Sequence, residues 1–327
     1  MKILLTGCAG FIGWKTGQLL LEAGHSVTGL DNFNSYYSPA LKRWRVRQLG
    51  ESSPGQFRFH EGDLLDEGLL NRLFREISFD AVINLAARAG VRASIEQPAP
   101  YLETNLIAAT ALMQAMVRHK VGKLVTASTS AVYAGQKAPF TEAQPVDRPL
   151  SPYAASKKAA EVMAYTFHHL YGLDVSVLRY FTVYGPAGRP DMSPLKFTHC
   201  IARGLPIPLF GDGEQRRDFT YIDDIARGTI AALKPLGYEI INLGGGNEPV
   251  SINRMIAILE ESLQRKAVIE RQPFNPADMT LTAADIEKAR LLLGWNPRTA
   301  PEEGFRRLTS WYQAEAPWLA NELSLPE

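Results

Sequence analysis

Short apolar runs alternate with helical stretches through the first half of this chain, and no other feature constrains the fold as tightly. The runs are Lys2–Thr6, Ser26–Leu30, Phe57–His60, Ala81–Leu85, Lys123–Ser128 and Asp174–Arg179. Between them lie helix-like stretches such as Trp14–Ala23, Thr104–His119 and Tyr153–Tyr171. A helical crossover returns the chain to the end of the sheet it started from. Strands joined in this way run parallel, and helices cover both faces. In such an open sheet, ligands bind beyond the carboxyl ends of the strands. Any chemistry is to be sought there.

After Tyr180 the alternation breaks up. Residues 183–222 are rich in Gly and Pro with scattered apolar groups, which reads as loops covering a site. Asp223–Lys234 is helical again, and Tyr238–Leu243 reads as a strand ending in Gly244-Gly245-Gly246. At 327 residues the chain suits one large and one small domain. The expected fold is a Rossmann-type doubly wound parallel α/β sheet, over 1–180 plus about 223–250. A smaller C-terminal α/β substrate domain is expected over 181–222 plus about 251–327.

Lys plus Arg number 35 against 34 Asp plus Glu, so the chain has no overall field for nucleic acid or an acidic membrane, and phosphate sites must be local. Cys8 and Cys200 are the only cysteines. They provide neither a disulfide framework nor a metal-ligand pattern, so a reducing compartment and no metal are expected. The apolar run after Lys2 stops at Thr6-Gly7, too short for a secretory leader, and it reads as a first strand of a cytoplasmic protein.

Directly after that strand comes Gly7-Cys8-Ala9-Gly10-Phe11-Ile12-Gly13, leading into a helix. Glycines there permit a tight turn and close approach of backbone to a pyrophosphate, which the helix N-terminus attracts. Asp31 ends the second strand, where a carboxylate can accept both hydroxyls of a ribose and would repel a 2′-phosphate. NAD is therefore expected over NADP. Asp63 follows the third strand and reads either as an adenine contact or as a turn residue. Asn32, Leu64 and Ala86 complete the candidate cofactor contacts, together with Tyr153 and Lys157.

Tyr153 and Lys157 lie four apart at the start of a helix, so both project from one face. An ammonium near the phenol, aided by a cationic nicotinamide ring, lowers its pKa from about 10 towards working pH and makes Tyr153 a usable base for a sugar hydroxyl. Upstream, Ala127-Ser128-Thr129-Ser130 ends a strand with a cluster of hydroxyls.

Taken together, the Gly7–Gly13 loop, Asp31, the hydroxyls before Val132-Tyr133 and Tyr153-x-x-x-Lys157 resemble the extended short-chain dehydrogenase/reductase family. The resemblance spans essentially the whole chain. It implies a catalytic triad of Thr129, Tyr153 and Lys157, bound NAD, a nucleotide-diphosphate sugar as substrate, and a homodimer in which the helices containing Thr104–His119 and Tyr153–Tyr171 pair across a two-fold axis.

Dehydratases and decarboxylases of the family carry acid groups after the catalytic Thr, where this chain has Ser130 and Ala131. Elimination of water is thereby disfavoured, whereas epimerisation needs no such acid. Asp31-Asn32-Phe33-Asn34-Ser35-Tyr36-Tyr37 and Arg179–Met192, with Gly188-Arg189-Pro190-Asp191-Met192, resemble UDP-glucuronate 4-epimerases. So does Ala86–Ser94, which contains Arg92, although Asn84 stands where that subgroup has His. The resemblance implies that Ser128, Thr129, Thr182 and Arg92 face the sugar, that Arg189 pairs with its carboxylate, and that Arg217 binds the diphosphate. Arg271–Asp278 departs from the family's Pro-x-Arg-x-Gly-Asp segment, and Asp278 is the candidate nucleotide contact within it. The expected reaction is C4 epimerisation of a UDP-hexuronic acid. The alternatives are a neutral UDP-glucose or UDP-N-acetylhexosamine 4-epimerase, a decarboxylase-like enzyme, and a non-catalytic NAD-binding regulator.

Overall fold

The computed structural model describes residues 1–274 and 279–322, with side chains to 315. Its first half runs β1 (Lys2–Thr6), α1 (Phe11–Glu22), β2 (Ser26–Asp31), α2 (Pro39–Ser52), β3 (Phe57–Glu61), α3 (Glu67–Glu76) and β4 (Ala81–Asn84). Two short helices, α4 (Val91–Glu96) and α5 (Ala99–Leu102), lead through a π-helical turn at Glu103–Ile107 into α6 (Ala108–Arg118). Then follow β5 (Lys123–Thr129), α7 (Pro152–Tyr171) and β6 (Asp174–Tyr180).

The second half contains β7 (Thr182–Tyr184), α8 (Ser193–Arg203), β8 (Pro206–Phe210), β9 (Arg216–Arg217), β10 (Phe219–Tyr221), α9 (Ile222–Ala231) and β11 (Tyr238–Leu243). It ends with β12 (Val250–Ser251), α10 (Ile252–Leu263), β13 (Val268–Gln272), α11 (Glu287–Leu293) and α12 (Pro301–Glu322).

Seven strands form one parallel sheet in the order β3-β2-β1-β4-β5-β6-β11. The chain starts at β1, winds outward to β3, then crosses back and winds the other way from β4. The order reverses between β1 and β4, which opens a crevice beyond their carboxyl ends. β1 is apolar at three successive positions, and Ile3, Leu4 and Leu5 are fully buried because helices cover both faces. α9 packs on α1, and β11 extends the sheet beside β6.

Helix ends near the site follow local chemistry. α7 starts where Ser151 accepts from the Ala154 amide at 3.2 Å with Pro152 next in line, and it stops at Gly172, whose φ is +68°. Beyond the sheet, the two-strand pairs β7/β10, β8/β13 and β9/β12 pack with α8, α10 and α12 around a second core. That core includes Tyr184 and Phe305, whose rings lie 4.4 Å apart. The stretch 183–222, expected as loops, thus holds a helix and four short strands. Among the described residues, no helix is long and apolar enough to cross a membrane.

Candidate active site

A cavity of about 400 Å³ lies beyond the carboxyl ends of the central strands. Every residue read from the sequence as a cofactor contact lines it: Gly7, Gly10, Phe11, Ile12, Gly13, Asp31, Asn32, Asp63, Leu64, Ala86, Tyr153 and Lys157. The glycine loop is closed against its surroundings. Gly7 has φ +68°, and a Cβ there would sit 2.6 Å from the Ala86 nitrogen. At Gly13 a Cβ would lie 2.1 Å from the Gly7 carbonyl oxygen. Helix α1 begins here without a side-chain cap, so its first amides are left for a ligand. A backbone cradle with uncapped helix amides fits a dinucleotide pyrophosphate.

The Asp31 carboxylate accepts from the Ala9 amide at 3.1 Å through one oxygen and from the Phe33 amide at 2.9 Å through the other. Each oxygen keeps capacity for a ribose hydroxyl. Burial raises its pKa, while those amides, Lys42 and Arg45 oppose the rise. Asn32 donates to Asp63 at 2.7 Å, and Asp63 also accepts from the Leu65 amide at 2.9 Å. Asp63 therefore both holds its turn and lines the cavity.

At the other end, Tyr153 and Lys157 occupy the first turns of α7. The Tyr153 phenol is hydrogen-bonded to Thr129, the last residue of β5. Ser94 accepts from the Tyr153 amide at 3.1 Å and donates to the Val91 carbonyl at 2.6 Å, fastening the start of α7 to α4. The protein's own groups pull the phenol in opposite directions. Burial dominates and raises the Tyr153 pKa, and the opposing influences come from the Thr129 hydrogen bond and then from Arg189. Lys157 is itself buried, and its pKa is brought down to about 8, with the Glu161 charge one turn along the helix holding it up.

Glu161 belongs to a buried network that sequence reasoning missed. It accepts from the Ser128 hydroxyl at 2.6 Å and takes both arms of Arg179 at 2.9 and 2.8 Å. Arg179 in turn donates to the Tyr133 hydroxyl at 2.7 Å. Ser128 and Arg179 are register partners on β5 and β6, which brings both onto the α7 side. Because the Ser128 proton is committed to Glu161, Ser128 faces the cavity as a hydrogen-bond acceptor. The signal was present in the sequence: Glu161 repeats the four-residue spacing of Tyr153 and Lys157.

Ser128, Thr129, Thr182, Arg189 and Arg217 all line the cavity. Arg92 does not; its guanidinium lies 3.9 Å over the Phe210 ring. Asp278 lies outside the described residues. The Arg189 fork is engaged by Asp191, at 3.0 Å through Nε and 2.5 Å through Nη2, with the Ala89 carbonyl accepting at 3.4 Å. Its guanidinium also lies 5.5 Å from the Tyr36 ring centroid. Among the described residues, the only carboxylates lining the cavity are Asp31 and Asp63, at the β2 and β3 end. Beside Thr129 stand Ser130 and Ala131, so no acid is placed to expel a hydroxyl from a sugar there.

Compared with known sequences, the chain matches the GDP-mannose 4,6 dehydratase family over residues 4–308. The chain belongs to this family. It is a member of the extended short-chain dehydrogenases/reductases, as the glycine loop and Tyr153-x-x-x-Lys157 indicated. A relative from Thermodesulfobacterium geofontis, UDP-glucuronate 4-epimerase, is 56% identical over 308 residues, covering 94% of this chain and 95% of the relative. UDP-glucuronate 4-epimerase 1 of Arabidopsis thaliana is 41% identical, covering 95% of this chain and 76% of its own length. Among solved structures, UDP-glucuronic acid 4-epimerase from Bacillus cereus, in complex with UDP-glucuronic acid and NAD, superposes with a TM-score of 0.90 at 36% identity. That match covers 96% of this chain and 99% of the other. The family is named for a dehydration, and Ser130 and Ala131 beside Thr129 carry no acid group.

Proposed function

We propose that the chain is an NAD-dependent UDP-glucuronate 4-epimerase, interconverting UDP-glucuronate and UDP-galacturonate through a 4-keto sugar. The Thr129–Tyr153 hydrogen bond carries this reading, because it sits in a cavity end that holds arginine but no carboxylate. The relatives of this activity and the Bacillus cereus enzyme, crystallised with UDP-glucuronic acid and NAD, support it. When bound in the glycine cradle, NAD supplies the acceptor and donor of hydride for C4.

Tyr153 takes the proton from the 4-hydroxyl and later returns one to the same oxygen. Thr129 holds that oxygen by hydrogen bonding. Lys157 supplies a buried positive charge beside the base, and Glu161 keeps that charge in place. Ser128 accepts from a sugar hydroxyl. The 4-keto uronate is a β-keto acid and loses carbon dioxide readily, so its carboxylate must be held out of the geometry that favours cleavage. Thr182 and Arg189 take that role. Separating the products formed from UDP-glucuronate and from UDP-glucose tests the assignment; turnover of UDP-glucose alone would reject it. One observation favours a neutral hexose instead, namely the Asp191 carboxylate that already meets the Arg189 charge.

Removing the Asp31 carboxylate should relax cofactor choice. Lys42 and Arg45 are positive charges close enough to be felt at Asp31, and without that carboxylate a 2′-phosphate would meet attraction. Nucleotide released on denaturing Asp31→Ala protein from cells should therefore contain NADP as well as NAD. Pure NAD from the variant would detach Asp31 from the choice.

We further place a second copy of the chain on the outer face of the helices at one side of the sheet. Leu102, Ile107, Val162 and Tyr165 are 43%, 53%, 54% and 53% exposed there. Light scattering at micromolar concentration should give twice the chain mass, and Val162→Glu should reduce it towards one. A wild-type monomer would reject the dimer.

A further inference from the structure

Arg45 on α2 is fully buried, and among the described residues no carboxylate forms an ion pair with it. Its guanidinium is held by neutral oxygens. Nη1 donates to the Ala9 carbonyl at 2.9 Å and to the Tyr37 hydroxyl at 2.6 Å. Nη2 donates to the carbonyls of Ala187 at 2.7 Å and Gly188 at 3.0 Å. Nε has no partner. Burying a cation with no carboxylate in direct contact is costly, so a chain that keeps one gains something from where it sits.

What it joins is specific. Ala9 belongs to the glycine loop between β1 and α1, and Ala187-Gly188 immediately precede Arg189. Tyr37 lies beside Tyr36, whose ring faces the Arg189 guanidinium, and both tyrosines line the cavity. One side chain therefore reaches three segments of the cavity wall that are remote in sequence. The far end of its grip is strained: Ala187 is fully buried with φ +54°, in the left-handed region that a Cβ disfavours. Nothing about Ala187 itself favours that conformation, whereas the carbonyl it presents to Arg45 does.

We propose that Arg45 is a positioning residue that fastens the Arg189 loop to the cofactor loop, so that the sugar side of the cavity takes its shape from the cofactor side. The proposal rests on reading residues 7–13 as the NAD cradle and residues 187–189 as sugar-facing. Filling the cradle fixes the Ala9 carbonyl, and Arg45 passes that constraint to Ala187. A lysine at 45 keeps the charge, but a single ammonium cannot span four acceptors that a planar fork reaches. With the fork gone, Ala187 is free to leave the left-handed region, and Arg189 moves with it.

The test uses Arg45→Lys, Arg45→Lys combined with Ala187→Gly, and wild type. Backbone hydrogen exchange is followed with NAD present and no sugar. Kinetics with UDP-glucuronate run in parallel. In Arg45→Lys, exchange over 185–192 should quicken about tenfold and KM should rise about tenfold, the loss of one charge-assisted hydrogen bond, while kcat changes little. Glycine adopts the left-handed conformation freely, so Ala187→Gly should bring KM much of the way back down in the double variant. A residue that merely filled space would show no such rescue. Unchanged exchange and KM in Arg45→Lys, or failure of the rescue, would overturn the proposal. If Arg45→Lys does not fold, wild type decides: removing NAD should quicken exchange at 185–188, and no change there would also overturn it. Because exchange is read without sugar, a wrong substrate assignment leaves that result standing.

Discussion

Tyr153→Phe should lose about 10²–10⁴ in turnover while keeping its fold and its NAD, because only the proton-carrying oxygen is removed. The ring would stay where it is, edge-on to Tyr101 with centroids 6.1 Å apart, and the Ser94 bond to the Tyr153 amide is made by backbone. What disappears is the group that Thr129 bonds and that, in the proposed mechanism, takes the 4-hydroxyl proton. Burial already raises the phenol's pKa, so ionisation depends on positive charge at the site. Arg189 is the positive charge felt there, and the proposed mechanism adds Lys157, whose pKa of about 8 leaves it protonated at neutral pH. Product assays on protein with verified NAD content measure the effect. Turnover within a few-fold of wild type would remove Tyr153 from the mechanism, and with it the observation on which the proposed function stands.

The parts of this site that were legible in the sequence are those whose partners are close along the chain. Gly7, Gly10 and Gly13 announce a turn against a helix end because each spacing is local, and Tyr153 and Lys157 share a face by helical period alone. The buried strands were equally plain, since Ile3-Leu4-Leu5 has no polar residue to spoil the run. Helix α8 was hidden by its composition. Thr198 and His199 are polar yet buried, satisfied by the Pro194 carbonyl at 2.7 Å and the Tyr312 hydroxyl at 2.8 Å. A reader of periodicity sees those positions as breaks.

Long-range partners were invisible for a different reason. Nothing near Arg45 in sequence hints that its fork closes on carbonyls of residues 187 and 188, and Ser128 gives no sign that Glu161 holds its proton. The spacing of Tyr153 and Lys157 shows nothing of burial, which is set by everything packed around α7 and pushes the phenol pKa up. Arg189 and Asp191 were both in view two residues apart. Their pairing still required the turn that brings the Arg189 fork back onto Asp191.

That pairing sharpens the test of the substrate. If Arg189 serves the uronate, its fork must be shared between Asp191 and the sugar carboxylate, and Asp191 tunes how much charge is left over. Arg189→Ala would then leave two carboxylates facing each other without a cation in a partly desolvated pocket. The cost with UDP-glucuronate should be about 2–5 kcal/mol in kcat/KM, with little change for any neutral sugar the enzyme accepts. Freed from its partner, the carboxylate of the 4-keto intermediate can swing out of plane, so carbon dioxide and a UDP-pentose should appear among the products. Asp191→Asn should act in the opposite direction: it releases the fork, so KM for UDP-glucuronate should fall while that for UDP-glucose stays put. Equal losses on both sugars for Arg189→Ala, without pentose, would mean that the Arg189–Asp191 pair only shapes the loop. The neutral-hexose reading would then be the stronger one, because the one charge placed to recognise a uronate would have been spent inside the protein.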